Sequence, residues 1–148
     1  MATNAGPVYG KQYIRYAETF EAPATTPAGE VEIGEFRLVR YFTTPGTACT
    51  DAQAGGTIPE KLGVNQAYMP SAVAEPATAR QLTVARSGLL LVELATGSAD
   101  FAPGDALQSK NTGEAEKGGD PVTVNGTTPI VREQIEIGGR KMVLVSFA

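Results

Sequence analysis

Five carboxylates fall within one turn-rich stretch of the chain, and they are the first residues whose types could do chemistry. A suitably spaced pair of carboxylates can hydrolyse glycosides, and oxygen ligands from loops can bind calcium. The neighbouring glycines and serines instead favour solvated carboxylates that cap turns, and the spacing matches no EF-hand or related calcium loop. We therefore predict turn residues, with no catalytic pair and no metal site, at Asp100, Asp105, Glu114, Glu116 and Asp120.

The chain has no histidine and a single cysteine, Cys49. Without histidine it lacks the Ser-His-Asp and Cys-His nucleophile arrangements and the commonest general base at neutral pH. A catalytic thiol needs a neighbour that lowers its pKa, and the sequence around Cys49 offers none. We predict that Cys49 is a small structural residue, that the protein is not an enzyme, and that it binds no cofactor.

Charge and hydropathy exclude two classes of partner. The 148 residues carry a formal net charge of −4, whereas nucleic-acid binding needs a concentrated basic face. No apolar run reaches the length of a membrane span, and the first residues lack the apolar core of a signal peptide. We expect a protein that folds in a cytoplasm and binds neither nucleic acid nor membrane.

Short apolar runs separated by turn residues predict an all-β fold, either a small β-barrel or a β-sandwich with long loops. The 17 glycines and 10 prolines supply the turns. In the central stretch, a strand over residues 81–85 is predicted to stop at residues 87–88, and a second strand to cover 89–94. Residues 103–105, Pro-Gly-Asp, predict a tight turn, because proline presets φ and glycine accepts a positive φ at the next position.

The last third of the chain predicts two hairpins. In residues 121–133, two short apolar runs flank Asn125-Gly126, which readily adopts the positive φ values of a hairpin turn. In residues 135–147, two runs of alternating residues flank Gly138-Gly139. The chain is therefore predicted to end in a paired strand.

The first half is less regular. Residues 30–43 predict a strand region in which the alternation shifts across Gly34, as is typical of a bulge or a break. Residues 44–63 predict a long loop, and such loops in small domains are usually functional or form interfaces.

The N-terminal part is predicted to be an extended arm and linker over residues 1–29, ahead of a β domain over residues 30–148. Its aromatic segment suits either one face of a helix or a short strand. Two interpretations remain open: the segment covers the chain's own β domain, or it docks on another subunit by adding a strand to an exposed edge. The second interpretation predicts a capsid-binding or subunit-binding site at Tyr9, Tyr13, Ile14, Tyr16 and Phe20.

Residues 87–119 resemble a segment of the small capsid decoration, or cement, proteins of tailed bacteriophages. In those proteins an apolar strand precedes a Gly-Asp-x-Leu turn, and a loop bounded by glycines follows. The matching residues here are 89–94, 104–107 and 113–118. The likeness extends over residues 81–147, whereas the first half departs from the smallest decoration proteins, notably in the loop at residues 44–63.

The resemblance implies a structural virion protein on the capsid exterior. Its partner would be the major capsid protein, whose neighbouring subunits it would hold together, and a homotrimer or another symmetric oligomer would form on the shell. An alternative is a carbohydrate-binding β module of a head fibre or adhesin. That class usually presents tryptophan or tyrosine platforms, and this chain contains no tryptophan.

Overall fold

The structure, a computed structural model, describes residues 12–23, 25–26, 29–30, 32–42, 46–67 and 81–148. Strands dominate these residues, and no helix within them is long and apolar enough to cross a membrane. In chain order the elements are β1 (Tyr13–Glu21), β2 (Thr25–Thr26), β3 (Gly29–Glu30), β4 (Arg37–Tyr41), β5 (Ala48–Cys49), α1 (Asp51–Ala54), β6 (Glu60–Lys61), β7 (Gly63–Asn65), β8 (Gln81–Glu93), β9 (Gln108–Ser109), β10 (Ala115–Glu116), β11 (Thr123–Val124), β12 (Ile130–Ile137) and β13 (Arg140–Phe147).

Seven strands form one antiparallel sheet in the order β12-β13-β8-β7-β4-β5, and β1 also pairs with β8. The short pairs β9-β10, β6-β11 and β2-β3 accompany it. The all-β prediction is confirmed. Among the described strands the sheet is open, with no closure into a barrel.

Strand β8 is the centre of the sheet, because it pairs with β1, β7 and β13. The prediction of two strands separated at residues 87–88 is wrong: β8 continues through them for 13 residues. Gly88 has φ 120°, and a Cβ added there would lie 2.0 Å from the carbonyl oxygen of Tyr13. The glycine therefore marks a close approach of β1, where the β1 register shifts, and not the end of a strand.

The buried side chains form two clusters. The larger one combines the second half of β8 with β13 and the segment between β8 and β12. The smaller one collects residues from the first half of β8 and from the N-terminal half of the chain. Its members are Phe20, Ile33, Val39, Ala48, Leu62, Leu82 and Val84.

The irregular first half contains more structure than predicted. The expected break after Gly34 is confirmed as a turn at residues 35–36, in which Phe36 has φ 61° and is fully buried. The predicted loop at residues 44–63 contains β5, α1 and β6. Gln53 stabilises this segment, because its side chain accepts a hydrogen bond from the Thr50 N–H (3.0 Å) and donates one to the Glu32 carbonyl (2.9 Å).

Of the two predicted hairpins, one is confirmed over its whole length and the other only at its turn. β12 and β13 pair across Gly138-Gly139, and β13 lies between β12 and β8. Asn125-Gly126 does form a tight turn, closed by hydrogen bonds between Val124 and Thr127. However, β11 pairs in parallel with β6, which lies 63 residues earlier in the chain, and not with β12, the strand that follows the turn. The sequence around β11 carries no pattern that indicates pairing with so distant a strand.

Candidate binding surface on strand β1

The five carboxylates of residues 100–120 do not all lie in turns as predicted, because Glu116 belongs to strand β10. Asp105 accepts a hydrogen bond from the Ala102 N–H (2.8 Å) and pairs with Lys117 (3.0 Å), as predicted for the turn at residues 103–105. These two contacts, the backbone bond first, lower the pKa of Asp105. Asp100 accepts a bond from Gln134. Across the described ranges, no group of three or more His, Cys, Asp or Glu residues is arranged to hold a metal ion.

Cys49 is fully buried in β5, next in the chain to Ala48 of the smaller core cluster. Burial raises the pKa of its thiol to about 11; the nearby Arg40 opposes this shift and Asp51 adds to it. A protonated, inaccessible thiol is a poor nucleophile. The geometry is that of the structural residue predicted from the sequence.

The Cys49 thiol gives a testable pH dependence. Because its pKa is raised in the folded state, the folded chain binds more protons than the unfolded chain as pH rises above 9. Stability should therefore fall by about 2 kcal/mol between pH 9 and pH 11. Urea unfolding of the wild type and of Cys49→Ala across this range isolates the thiol, since other titrations cancel in the difference. Parallel stability curves for the two proteins would contradict the expectation.

A buried ion cluster lies beside Cys49. The side chains of Asp51 and Lys61 are 0% and 1% exposed, and Lys61 Nζ lies 3.0 Å from Asp51 Oδ2 and 3.4 Å from Oδ1. Arg40 approaches Asp51 Oδ1 at 3.6 Å, and Lys61 also donates to the Ile58 carbonyl. Burial lowers the pKa of Lys61, and its hydrogen bond to Asp51 opposes that shift. Sequence reasoning missed this cluster, because its members are spread over residues 40–61 without a motif.

A cavity of about 340 Å³ opens next to Lys61, between residues 57–61 and 108–122. Many of its polar side chains already bond one another: Gln108 donates to Glu116 (2.9 Å), and Thr57 donates to Asn111 (3.2 Å). Its apolar lining is aliphatic and contains no aromatic ring. The cavity thus lacks the aromatic platform expected of a carbohydrate site.

The predicted binding residues differ in their exposure to solvent. Tyr13, Ile14 and Tyr16 are 63%, 42% and 53% exposed, and every residue from 13 to 17 is exposed, so both faces of this half of β1 are open to solvent. Phe20 is 5% exposed and packs edge-on against Tyr41, in the chain's own core. Tyr9 lies outside the described residues. Residues 13–21 therefore form a strand that pairs with the chain's own β8, and the aromatic first half of this strand is solvated.

Side-chain contacts fix β1 along its length. Arg86 of β8 donates a hydrogen bond to Glu18 of β1 (2.6 Å). It also donates to the Leu62 carbonyl (3.1 Å) and to Asn125 (3.1 Å), so it links β1 to the segments that contain these two residues. At the other end, the Gln12 side chain accepts a bond from the Leu91 N–H (2.8 Å). Together with the buried Phe20, these contacts hold the exposed tyrosines on a well-supported strand.

Comparison with models of known protein families, with curated proteins and with solved structures finds no match to this chain.

Proposed function

We propose that the chain is a structural virion protein that binds the outer capsid surface and stabilises contacts between major capsid subunits. The observation that carries this proposal is the exposed half of β1, where Tyr13, Ile14 and Tyr16 are solvated on a strand with two open faces. Large apolar side chains grouped on a surface are typical of protein interfaces, and tyrosine is enriched there. The resemblance of residues 87–119 to capsid decoration proteins supports the same class.

The way β1 is held suits such a role. A capsid-stabilising protein must transmit force between neighbouring subunits, and β1 is paired with the central strand from Tyr13 to Glu21. A pull on its exposed half is resisted by backbone hydrogen bonds, by the Glu18–Arg86 ion pair and by the buried ring of Phe20. Many copies, made in the host cytoplasm and arranged symmetrically on the shell, would combine modest contacts into stable attachment.

The test is co-sedimentation with expanded, undecorated capsids. We expect the wild type to pellet with them, and Tyr13→Ser/Tyr16→Ser to bind at least tenfold more weakly, as truncation of interface tyrosines commonly does. Ile130→Ser is the matched control, because Ile130 is exposed to a similar degree (39%) on a different strand. Failure to pellet at any salt concentration would argue against capsid binding, and a clear hit on a glycan array would favour the carbohydrate-binding alternative.

A further inference from the structure

The outer edge of β1 presents backbone groups that the described strands leave unpaired. Thr19 lies opposite Thr83 of β8, and the Thr83 carbonyl points away from β1, since it accepts the Gln66 N–H (2.9 Å). In an antiparallel ladder, both residues of such a pair direct their N–H and C=O groups outward. The same alternation directs the groups of Ala17, opposite Ala85, to the outer edge.

At Glu21 the edge is closed, because its N–H donates to the Gly46 carbonyl.

An open edge of this kind is a template for another strand. Its side chains are also suited to a particular partner. Arg15 and Glu21 are both exposed, and within the described part of the chain neither has an ion-pair partner. Ala17 lies between them and is small and exposed. One strand thus carries two unpaired charges of opposite sign around a small central residue, which is a self-complementary arrangement.

We propose that β1 of a second copy of this chain pairs antiparallel with this edge, across a two-fold axis at Ala17. In that register residues 15–19 of the two copies pair, which stops short of the closed edge at Glu21. The two Ala17 residues exchange backbone hydrogen bonds, and the Arg15 side chain of each copy lies diagonal to the Glu21 side chain of the other. Because the arrangement is two-fold symmetric, the same Arg15–Glu21 ion pair occurs twice in the dimer. The two seven-stranded sheets then join into one.

This pairing goes beyond capsid binding, because it uses different groups. The edge contributes backbone N–H and C=O groups, whereas Tyr13, Ile14 and Tyr16 project from the faces of the strand. A dimer would present two sets of these side chains to a shell, so that both contacts act together.

Sedimentation velocity over a range of protein concentrations tests the dimer with purified protein alone. We expect Ala17→Pro to abolish it and to leave the monomer folded, because the Ala17 N–H points away from β8 and proline is tolerated at such edge positions. Arg15→Glu should weaken dimerisation at least tenfold, and the double variant Arg15→Glu/Glu21→Arg should restore it. A monomer at every concentration, or a dimer that neither Ala17→Pro nor Arg15→Glu weakens, would overturn the proposal.

Disulfide trapping tests the register. Residues of a hydrogen-bonded antiparallel pair have Cα atoms about 5.5 Å apart, within the range that a disulfide spans. Ala17→Cys should therefore form a covalent dimer on mild oxidation, whereas the exposed loop control Ala99→Cys should not, and buried Cys49 should not interfere. Equal cross-linking of the two variants would overturn the two-fold pairing. Neither experiment uses capsids, so this result is independent of the proposed function.

Discussion

Replacement of Asp51 by asparagine is expected to destabilise the fold by about 3–5 kcal/mol at pH 7, the usual cost of removing one partner of a buried ion pair. The substitution preserves shape but removes the charge that faces Lys61 Nζ at 3.0 Å. Lys61 and Arg40 would then be neighbouring cations without an anion between them. The destabilisation has an upper bound, because Lys61 can lose its proton instead of staying charged. Removing the proton of a lysine with an ordinary pKa at pH 7 requires about 5 kcal/mol.

The same variant should recover stability as pH rises. Burial already lowers the pKa of Lys61, and loss of Asp51 removes the contact that opposes this shift. Between the lowered pKa and the ordinary value of lysine, the unfolded chain binds more protons than the folded one, so stability increases with pH. Guanidinium unfolding at pH 7, 8 and 9 should show the deficit of Asp51→Asn shrinking by up to about 1.4 kcal/mol per pH unit.

The exposed Asp120 supplies the control for this series. Asp120→Asn should change stability by less than about 0.5 kcal/mol at each pH. Measurements up to pH 9 keep the Cys49 thiol protonated in the fold. A constant deficit of Asp51→Asn from pH 7 to pH 9 would show that Lys61 stays charged and that its partner is supplied by another group.

The buried cluster also shows where sequence reasoning stops. Composition and turn chemistry predicted the all-β class, the turn at residues 103–105 and the last hairpin, because these depend on alternation and on glycine or proline at fixed positions. Asp51 and Lys61 lie in a segment with little periodicity, which the sequence presents as an exposed loop. Lys61 belongs to β6, which pairs with β11, and this contact joins residues far apart in the chain.

The exposed tyrosines of β1 could likewise be predicted only in part from the sequence. The aromatic content of residues 9–20 marks the segment as unusual, but tyrosine spacing alone does not distinguish a helix from a strand. Which aromatic side chain is buried depends on pairing with β8, and this pairing buries Phe20 and leaves Tyr13 and Tyr16 exposed. The outer edge of β1 that the described strands leave unpaired at Ala17 and Thr19 likewise results from the sheet pairing and has no signature in the sequence of β1.

Gly63→Ala is expected to destabilise the protein by about 3 kcal/mol, at the upper end of the cost of overpacking a core. A Cβ at Gly63 would lie 2.1 Å from the Ala85 carbonyl oxygen and 3.1 Å from a methyl carbon of Val84. The first of these atoms belongs to the backbone of the central strand, so relief requires β7 and β8 to separate and cannot come from a side-chain rotation. Separation would weaken the connection of β4 and β5 to the rest of the sheet.

Gly119→Ala is the matched control for Gly63→Ala, because a Cβ at Gly119 meets no atom within 4 Å and its φ is not positive. Its unfolding midpoint in urea should match that of the wild type, whereas the midpoint of Gly63→Ala should fall clearly, with the slope unchanged if unfolding stays two-state. Equal midpoints for Gly63→Ala and the wild type would mean that β7 can move away from β8 at little cost. The sheet would then consist of two weakly joined parts, with β1 and β13 on one side and β4 on the other.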